Sequence, residues 1–194
     1  MTRPAHDTRT WLIAPADDAR KMGKAMAAGA DVIILDLEDS VSLDRKAEAR
    51  NLVVQALHQD TPAARYVRVN DLATDLTEHD IRATLAARPD GYVLPKCEGP
   101  DDIARLAALI SAVDPEQTPG ILAIATETMR GVRNLMRCDW THPWLTGLTW
   151  GGEDLRADLG ASGNRSEDGA YLSPFAMARD LTLFAAKDAG VLAI

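Results

Sequence analysis

At 194 residues, 46% hydrophobic and 26% charged, the chain is long enough to bury a substantial core as a single domain over residues 1–194. A formal net charge of -8 repels a phosphate backbone and excludes nucleic acid as a general partner, while leaving room for a local basic pocket. No stretch approaches the ~18 apolar residues of a membrane span, and the opening MTRPAHDTRT has no apolar leader core. Cys97 and Cys138 lack metal-ligand spacing and read as inert thiols of a reducing compartment, so a cytoplasmic protein away from membranes is expected.

The first apolar run, Trp11–Ala14, precedes a helical pattern over Asp18–Ala28, which Gly29 closes in the left-handed position that ends many helices. Asp31 opens a second run, Val32–Leu37, and Ser42 is placed to cap a helix over Leu43–His58. The run Tyr66–Val69 precedes a helical pattern over Leu76–Ala87. Tyr92–Leu94 precedes another over Pro100–Val113, where Pro100, Asp101 and Asp102 suit a helix start. Ile121–Ala125 leads to a short helix over Gly131–Met136. After Leu148–Trp150 comes Ser162–Gly169, polar and glycine-rich, the best candidate for a mobile loop over a site. A helical pattern over Ser173–Ala189 then meets Gly190–Ile194, the start of a seventh strand.

The runs are apolar throughout rather than alternating, as parallel strands covered by helices are. Strand then helix, six times over, is a βα repeat, and it builds either an open doubly wound sheet or a β/α barrel. The open sheet usually carries a glycine-rich phosphate loop after its first strand. Here that turn is Pro15-Ala16-Asp17-Asp18, with two acids where a pyrophosphate would sit. The expected class is therefore α/β, a TIM-type (β/α)8 barrel. A typical one has eight strands and about 250 residues, so this chain is expected to lack the C-terminal strands.

The second to sixth runs end in charge. Asp36, Arg68, Lys96, Glu127 and Asp154 recur about every 30 residues, roughly one βα unit each, and in a barrel would converge on the C-terminal mouth. Alternation along Asp36-Leu37-Glu38 points both acids one way. Glu127 and Asp154 on adjacent strands suit an octahedral Mg²⁺ completed by substrate oxygens and water. Equally, each acid could pair with Arg68, Lys96 or Arg130 in a structural network. His6, His58, His79 and His142 share no metal-binding spacing, and no serine sits in a GxSxG motif, which argues against a serine hydrolase. Trp140, Trp144 and Trp150 read as packing residues.

The segment Ala30–Val41, containing Asp36-Leu37-Glu38-Asp39-Ser40-Val41, resembles the citrate lyase β-subunit family, within the HpcH/HpaI-type aldolases. Val67-Arg68-Val69-Asn70, Val93-Leu94-Pro95-Lys96, Glu127-Thr128-Met129-Arg130-Gly131 and Gly152-Glu153-Asp154-Leu155 are similar to its later motifs in order and spacing. The resemblance implies a barrel enzyme that uses Mg²⁺ to cleave or form a β-hydroxyacyl-CoA of the citryl, malyl or citramalyl type. It implies Glu127 and Asp154 as metal ligands, and Arg68, Gly152 and Glu153 around the substrate. Arg68 and Lys96 would stabilise the enolate oxygen, with Asp36 and Glu38 orienting those cations. It also implies a homo-oligomer, commonly a trimer, and a proton-transfer acid supplied from the C-terminal region.

Where the family often carries an arginine after the first strand, this chain has Asp18, which shifts weight from CoA toward another thioester, an acyl-carrier protein or a free keto acid. Two alternatives therefore stand beside the lyase: an aldolase of pyruvate-derived hydroxy keto acids, and a non-catalytic barrel remnant that binds a partner subunit.

Overall fold

The computed structural model describes residues 8–194; the opening residues and His6, on which expectations above bear, lie outside the described residues. The chain alternates seven strands with helices: β1 (Trp11–Pro15), α1 (Ala19–Met26), β2 (Val32–Asp36), α2 (Lys46–Leu57), β3 (Ala64–Arg68), α3 (Leu76–Thr84), β4 (Gly91–Leu94), α4 (Pro100–Val113), β5 (Gly120–Ile124), α5 (Met129–Asn134), β6 (Leu145–Thr149), α6 (Gly152–Asp158), α7 (Ser173–Asp188) and β7 (Leu192–Ala193). The α/β class is as the sequence indicates. Among the described residues, no helix is long and apolar enough to cross a membrane.

The chain packs as two compact units, one formed by the described part of Met1–Val93 with Leu106–Gly120, the other by Leu94–Arg105 with Ile121–Ile194. In the first, β1, β2, β3 and β4 pair in sequence order, all parallel. All five residues of β2 are buried, which accounts for an unbroken apolar run ending in Asp36. Ala49 and Val53 of α2 and Ile81 of α3 are each fully buried as well. Gly91 starts β4 where no side chain fits, since a Cβ there would lie 2.2 Å from Tyr66 Cε1 and 2.6 Å from Gly120 O. In the second unit β5, β6 and β7 pair in order and in parallel. Val132, Leu155, Phe175 and Ala178 form its core between α5, α6 and α7, with Trp150 and Tyr171 packed against them.

Local chemistry explains where the elements depart from expectation. Strand β6 begins at Leu145 rather than Leu148, because Thr146 and Gly147 break the apolar run yet fit the ladder. Thr146 Oγ1 donates to Ile121 O (3.0 Å), and a Cβ at Gly147 would crowd Leu122, Leu192 and Ile194. Strand β3 starts two residues before Tyr66, with Arg65 N donating to Asp90 Oδ2 (2.8 Å). Ser42 precedes a 3₁₀ turn, Leu43–Arg45, and makes no side-chain cap bond. Thr128 caps α5 instead of Gly131 opening it; Gly131 N donates to Thr128 Oγ1 (3.0 Å). Gly131 is required for space, because a Cβ would sit 2.5 Å from Ala125 O. Gly29 has φ 78°, the left-handed conformation expected of it.

The two acids after β1 are structural. Asp18 caps α1, accepting from Arg20 N and Lys21 N (3.0 Å each), and Asp17 accepts from Arg45 Nη1 (3.0 Å).

Candidate active site

In the first unit the charged strand ends form one buried cluster. Arg68, at the end of β3, donates from Nε and Nη2 to the two oxygens of Asp36 at the end of β2, both at 2.7 Å. Its Nη1 lies 3.1 Å from Glu38 Oε2. The Arg68 side chain is 12% exposed, and Asp36 and Glu38 are 2% and 5% exposed. Burial opposes ionisation of Asp36, but the Arg68 hydrogen bonds and charge outweigh it, so the carboxyl is held below its ordinary value; Ser40 and the Glu38 amide help. Asp36 and Glu38 thus face the same cation, as the alternation predicts.

A second layer fixes the backbone of this cluster. Lys46, buried on α2, donates from Nζ to Leu37 O (2.6 Å) and Glu38 O (2.7 Å). Asp80, fully buried on α3, accepts from Arg50 Nε (2.7 Å), Asn70 N (2.8 Å) and Asn70 Nδ2 (2.7 Å). Asn70 Nδ2 also reaches Leu37 O (3.1 Å). Burial lowers the Lys46 pKa, partly offset by Asp80 and the strand-end acids. Sequence reasoning missed Lys46, Arg50 and Asp80. Their signal was polar residues at core-facing helical spacing: Lys46 and Arg50 four apart on α2, and Thr77, Asp80 and Thr84 on the buried side of α3.

In the second unit Glu127 follows β5 and is 4% exposed. Its Oε2 accepts from the main-chain N–H of Lys96 (2.6 Å), the residue after Pro95 at the end of β4. Against its other side lies Gly151, where a Cβ would come 2.8 Å from Glu127 Cγ. Gly151 is tied to β5, its N donating to Thr126 Oγ1 (2.9 Å), and it precedes α6. Asp154 sits in the first turn of that helix, half-buried, and has no hydrogen-bond or ion-pair partner among the described residues. Both carboxylates are oxygen donors, the ligand type a hard divalent cation takes, and are the residues in this unit that could hold one.

The motif Gly152-Glu153 occupies the start of α6, a helix the sequence reading did not anticipate because Gly151-Gly152 masks its onset. Glu153 Oε1 accepts from Asn164 Nδ2 (2.7 Å), and Asn164 also reaches Gly152 O (3.4 Å). Asn164 thereby joins Ser162–Gly169 to the candidate site. That segment is internally bonded, with Arg165 stacked on Tyr171 at 3.6 Å and Ser166 N donating to Ala170 O (2.9 Å). Arg130 is exposed and pairs with Glu98 (3.0 Å). Cys97 is 1% exposed and burial pushes its thiol pKa up, as an inert core cysteine requires.

Residues 9–194 match the HpcH/HpaI aldolase/citrate lyase family. The chain belongs to that family. A citrate lyase subunit beta-like protein of Mycobacterium tuberculosis is 35% identical over 187 residues, covering 95% of this chain and 62% of the relative. A (3S)-malyl-CoA thioesterase of Cereibacter sphaeroides is 34% identical over 163 residues, covering 83% of this chain and 54% of the relative. The chain therefore spans less than two thirds of the length of either relative. Among solved structures, the CitE protein of Mycobacterium tuberculosis in complex with magnesium and acetoacetate is similar to it at TM-score 0.83 and 33% identity, over 98% of this chain and 74% of that one. Four of the family motifs fall at strand ends of this structure: Asp36 ends β2 with Glu38 two residues on, Arg68 ends β3, Lys96 follows β4 and Glu127 follows β5; Asp154 lies instead in the first turn of α6.

Proposed function

We propose that this chain is the metal-binding and carboxylate-binding part of a Mg²⁺-dependent carbon–carbon lyase, built on the strands of a β/α barrel. Its substrate class is a β-hydroxyacyl thioester of the malyl-, citramalyl- or citryl-CoA type. The observation that carries the reading is Glu127, a buried carboxylate fixed by the Lys96 amide beside the helix that bears the partnerless Asp154. Relatives named for citrate lyase and malyl-CoA chemistry, and a similar structure solved with magnesium and a keto acid, support it.

Retro-Claisen cleavage gives the hydroxyl proton to a base and breaks the bond between the carbinol carbon and the carbon α to the thioester, leaving a keto acid and a thioester enolate that takes up a proton at its α-carbon. Mg²⁺ held by Glu127 and Asp154 would lower the pKa of the substrate hydroxyl and polarise the forming carbonyl. Arg68 is gripped by Asp36 and Glu38 before substrate arrives, so its charge needs no reorganisation to meet a substrate carboxylate or the enolate oxygen. In this reading Asp36 and Glu38 orient Arg68 and take no proton. Lys96 contributes a second cation toward the enolate, and Gly152 and Glu153 border the substrate. A cytoplasmic homo-oligomer is the proposed working form.

Calorimetric titration with Mg²⁺, with and without oxaloacetate or pyruvate, tests the metal site. Heat of binding that strengthens with the keto acid and vanishes in Glu127→Ala upholds it. Binding indifferent to that substitution removes both the lyase and the aldolase readings.

A further inference from the structure

Lys96 has φ 49°, one of two non-glycine residues with positive φ among those described. The other, Arg88, ends a 3₁₀ turn, where a left-handed residue is ordinary. Lys96 ends no helix. It stands directly after a strand and a proline, where an L residue in this conformation is disfavoured and persists only if its surroundings hold it. The turn directs two successive amides to β5 and the residues after it: Lys96 N to Glu127 Oε2 (2.6 Å) and Cys97 N to Ile124 O (3.1 Å).

Gly151 meets the same carboxylate from another direction. Its torsions, φ -126° and ψ 117°, are open to any residue, so the glycine is needed for space alone. The space is taken by Glu127: an added Cβ would stand 2.8 Å from Cγ and 3.2 Å from Oε1. Thr126, fully buried, prevents Gly151 from drifting away, since its hydroxyl bonds both Gly151 N (2.9 Å) and Gly151 O (3.4 Å).

We propose that Lys96, through its strained main-chain N–H, and Gly151, through its missing side chain, are positioning residues that set the Glu127 carboxylate in a single orientation for a divalent cation. The metal part of this inference rests on the proposed Mg²⁺ site; the clamp on Glu127 stands by itself. It also separates two functions of Lys96, because the amide holds Glu127 whatever the ammonium does. A glycine or asparagine keeps the N–H and accepts the left-handed torsion, whereas a β-branched residue does not.

The test pairs calorimetric Mg²⁺ titration with urea unfolding of the full chain. Lys96→Val is expected to bind Mg²⁺ about 10–100-fold more weakly than Lys96→Gly or Lys96→Asn, and Gly151→Ala about 10–100-fold more weakly than the wild type, the usual loss when a ligand's support is removed. Gly151→Ala is also expected to lower the urea midpoint, and to do so much less in a Glu127→Ala background, where Cγ is gone. Equal loss of Mg²⁺ affinity in Lys96→Gly and Lys96→Val would overturn the amide role in favour of the side chain. Equal destabilisation by Gly151→Ala in both backgrounds would overturn the clamp. Should the wild type bind no Mg²⁺, the metal reading falls, and the urea coupling between Gly151 and Glu127 still decides the clamp.

Discussion

Replacing Asp36 by asparagine keeps the shape of the strand end and removes one charge from the buried cluster. The wild-type carboxylate accepts two 2.7 Å bonds from Arg68, 2.9 Å from Glu38 N and 3.3 Å from Ser40 N. An asparagine turns one of those oxygens into an NH₂, which faces a donor whichever way the amide is set. Arg68 then loses its charge pair with Asp36 and keeps the one with Glu38. Both partners are nearly excluded from solvent, so screening offers little relief, and breaking such a pair from one side costs about 3–5 kcal/mol. The amide restores part of that, and a loss near 3 kcal/mol is expected for Asp36→Asn by urea unfolding at pH 7. The pH dependence follows from the lowered pKa. Asp36 binds its proton less readily folded than unfolded, so its stabilisation is complete above the ordinary aspartate value of 3.8 and is lost as pH falls through the lower folded value. The gap between wild type and Asp36→Asn should therefore hold from pH 7 down to 3.8 and narrow below it. Equal urea midpoints at pH 7, or a gap unchanged down to about pH 3, would refute a charge-paired Asp36.

Other perturbations give separate readings. Arg68→Lys loses the two-pronged contact with Asp36 and should cut kcat/KM for carbon–carbon cleavage of the acyl thioester by about 10²–10³, checked by steady-state assay. Lys46→Met removes the charged donor from Leu37 O and Glu38 O, which keep Asn70 Nδ2 and Val41 N, and should cost roughly 1–3 kcal/mol in urea unfolding. Gly131→Ala drives a Cβ to 2.5 Å from the Ala125 carbonyl, backbone that cannot swing away, and should destabilise by at least about 1–3 kcal/mol. Cys138, half-buried, should react with a thiol reagent in the native state, whereas Cys97 should react only on unfolding, as mass-resolved labelling would show.

The strand–helix rhythm was legible because parallel strands are buried on both faces and leave unbroken apolar runs, as in Val32–Asp36. It failed where polar or small residues serve the ladder: Thr146 and Gly147 hid the start of β6, and Arg65 that of β3. Helix α6 was invisible because its cap and first residue are the glycines Gly151 and Gly152, although it is the element that carries Asp154. Among site residues, the pairing of Arg68 with Asp36 and Glu38 was foreseen from alternation and charge. The layer behind it was not, since Lys46 and Asp80 look like solvated helix residues until burial is known. Nor does sequence show that Lys96 meets Glu127 through its amide, because that contact depends on a backbone torsion.

The proposed activity is tested most directly by identifying the products formed from (3S)-malyl-CoA and Mg²⁺ by chromatography and mass spectrometry. Carbon–carbon cleavage predicts acetyl-CoA and glyoxylate in equal amounts, with both absent when Glu127→Ala replaces the wild type. Malate with free CoA would show thioester hydrolysis instead and contradicts the lyase assignment, as would malyl-, citramalyl- and citryl-CoA all left unchanged.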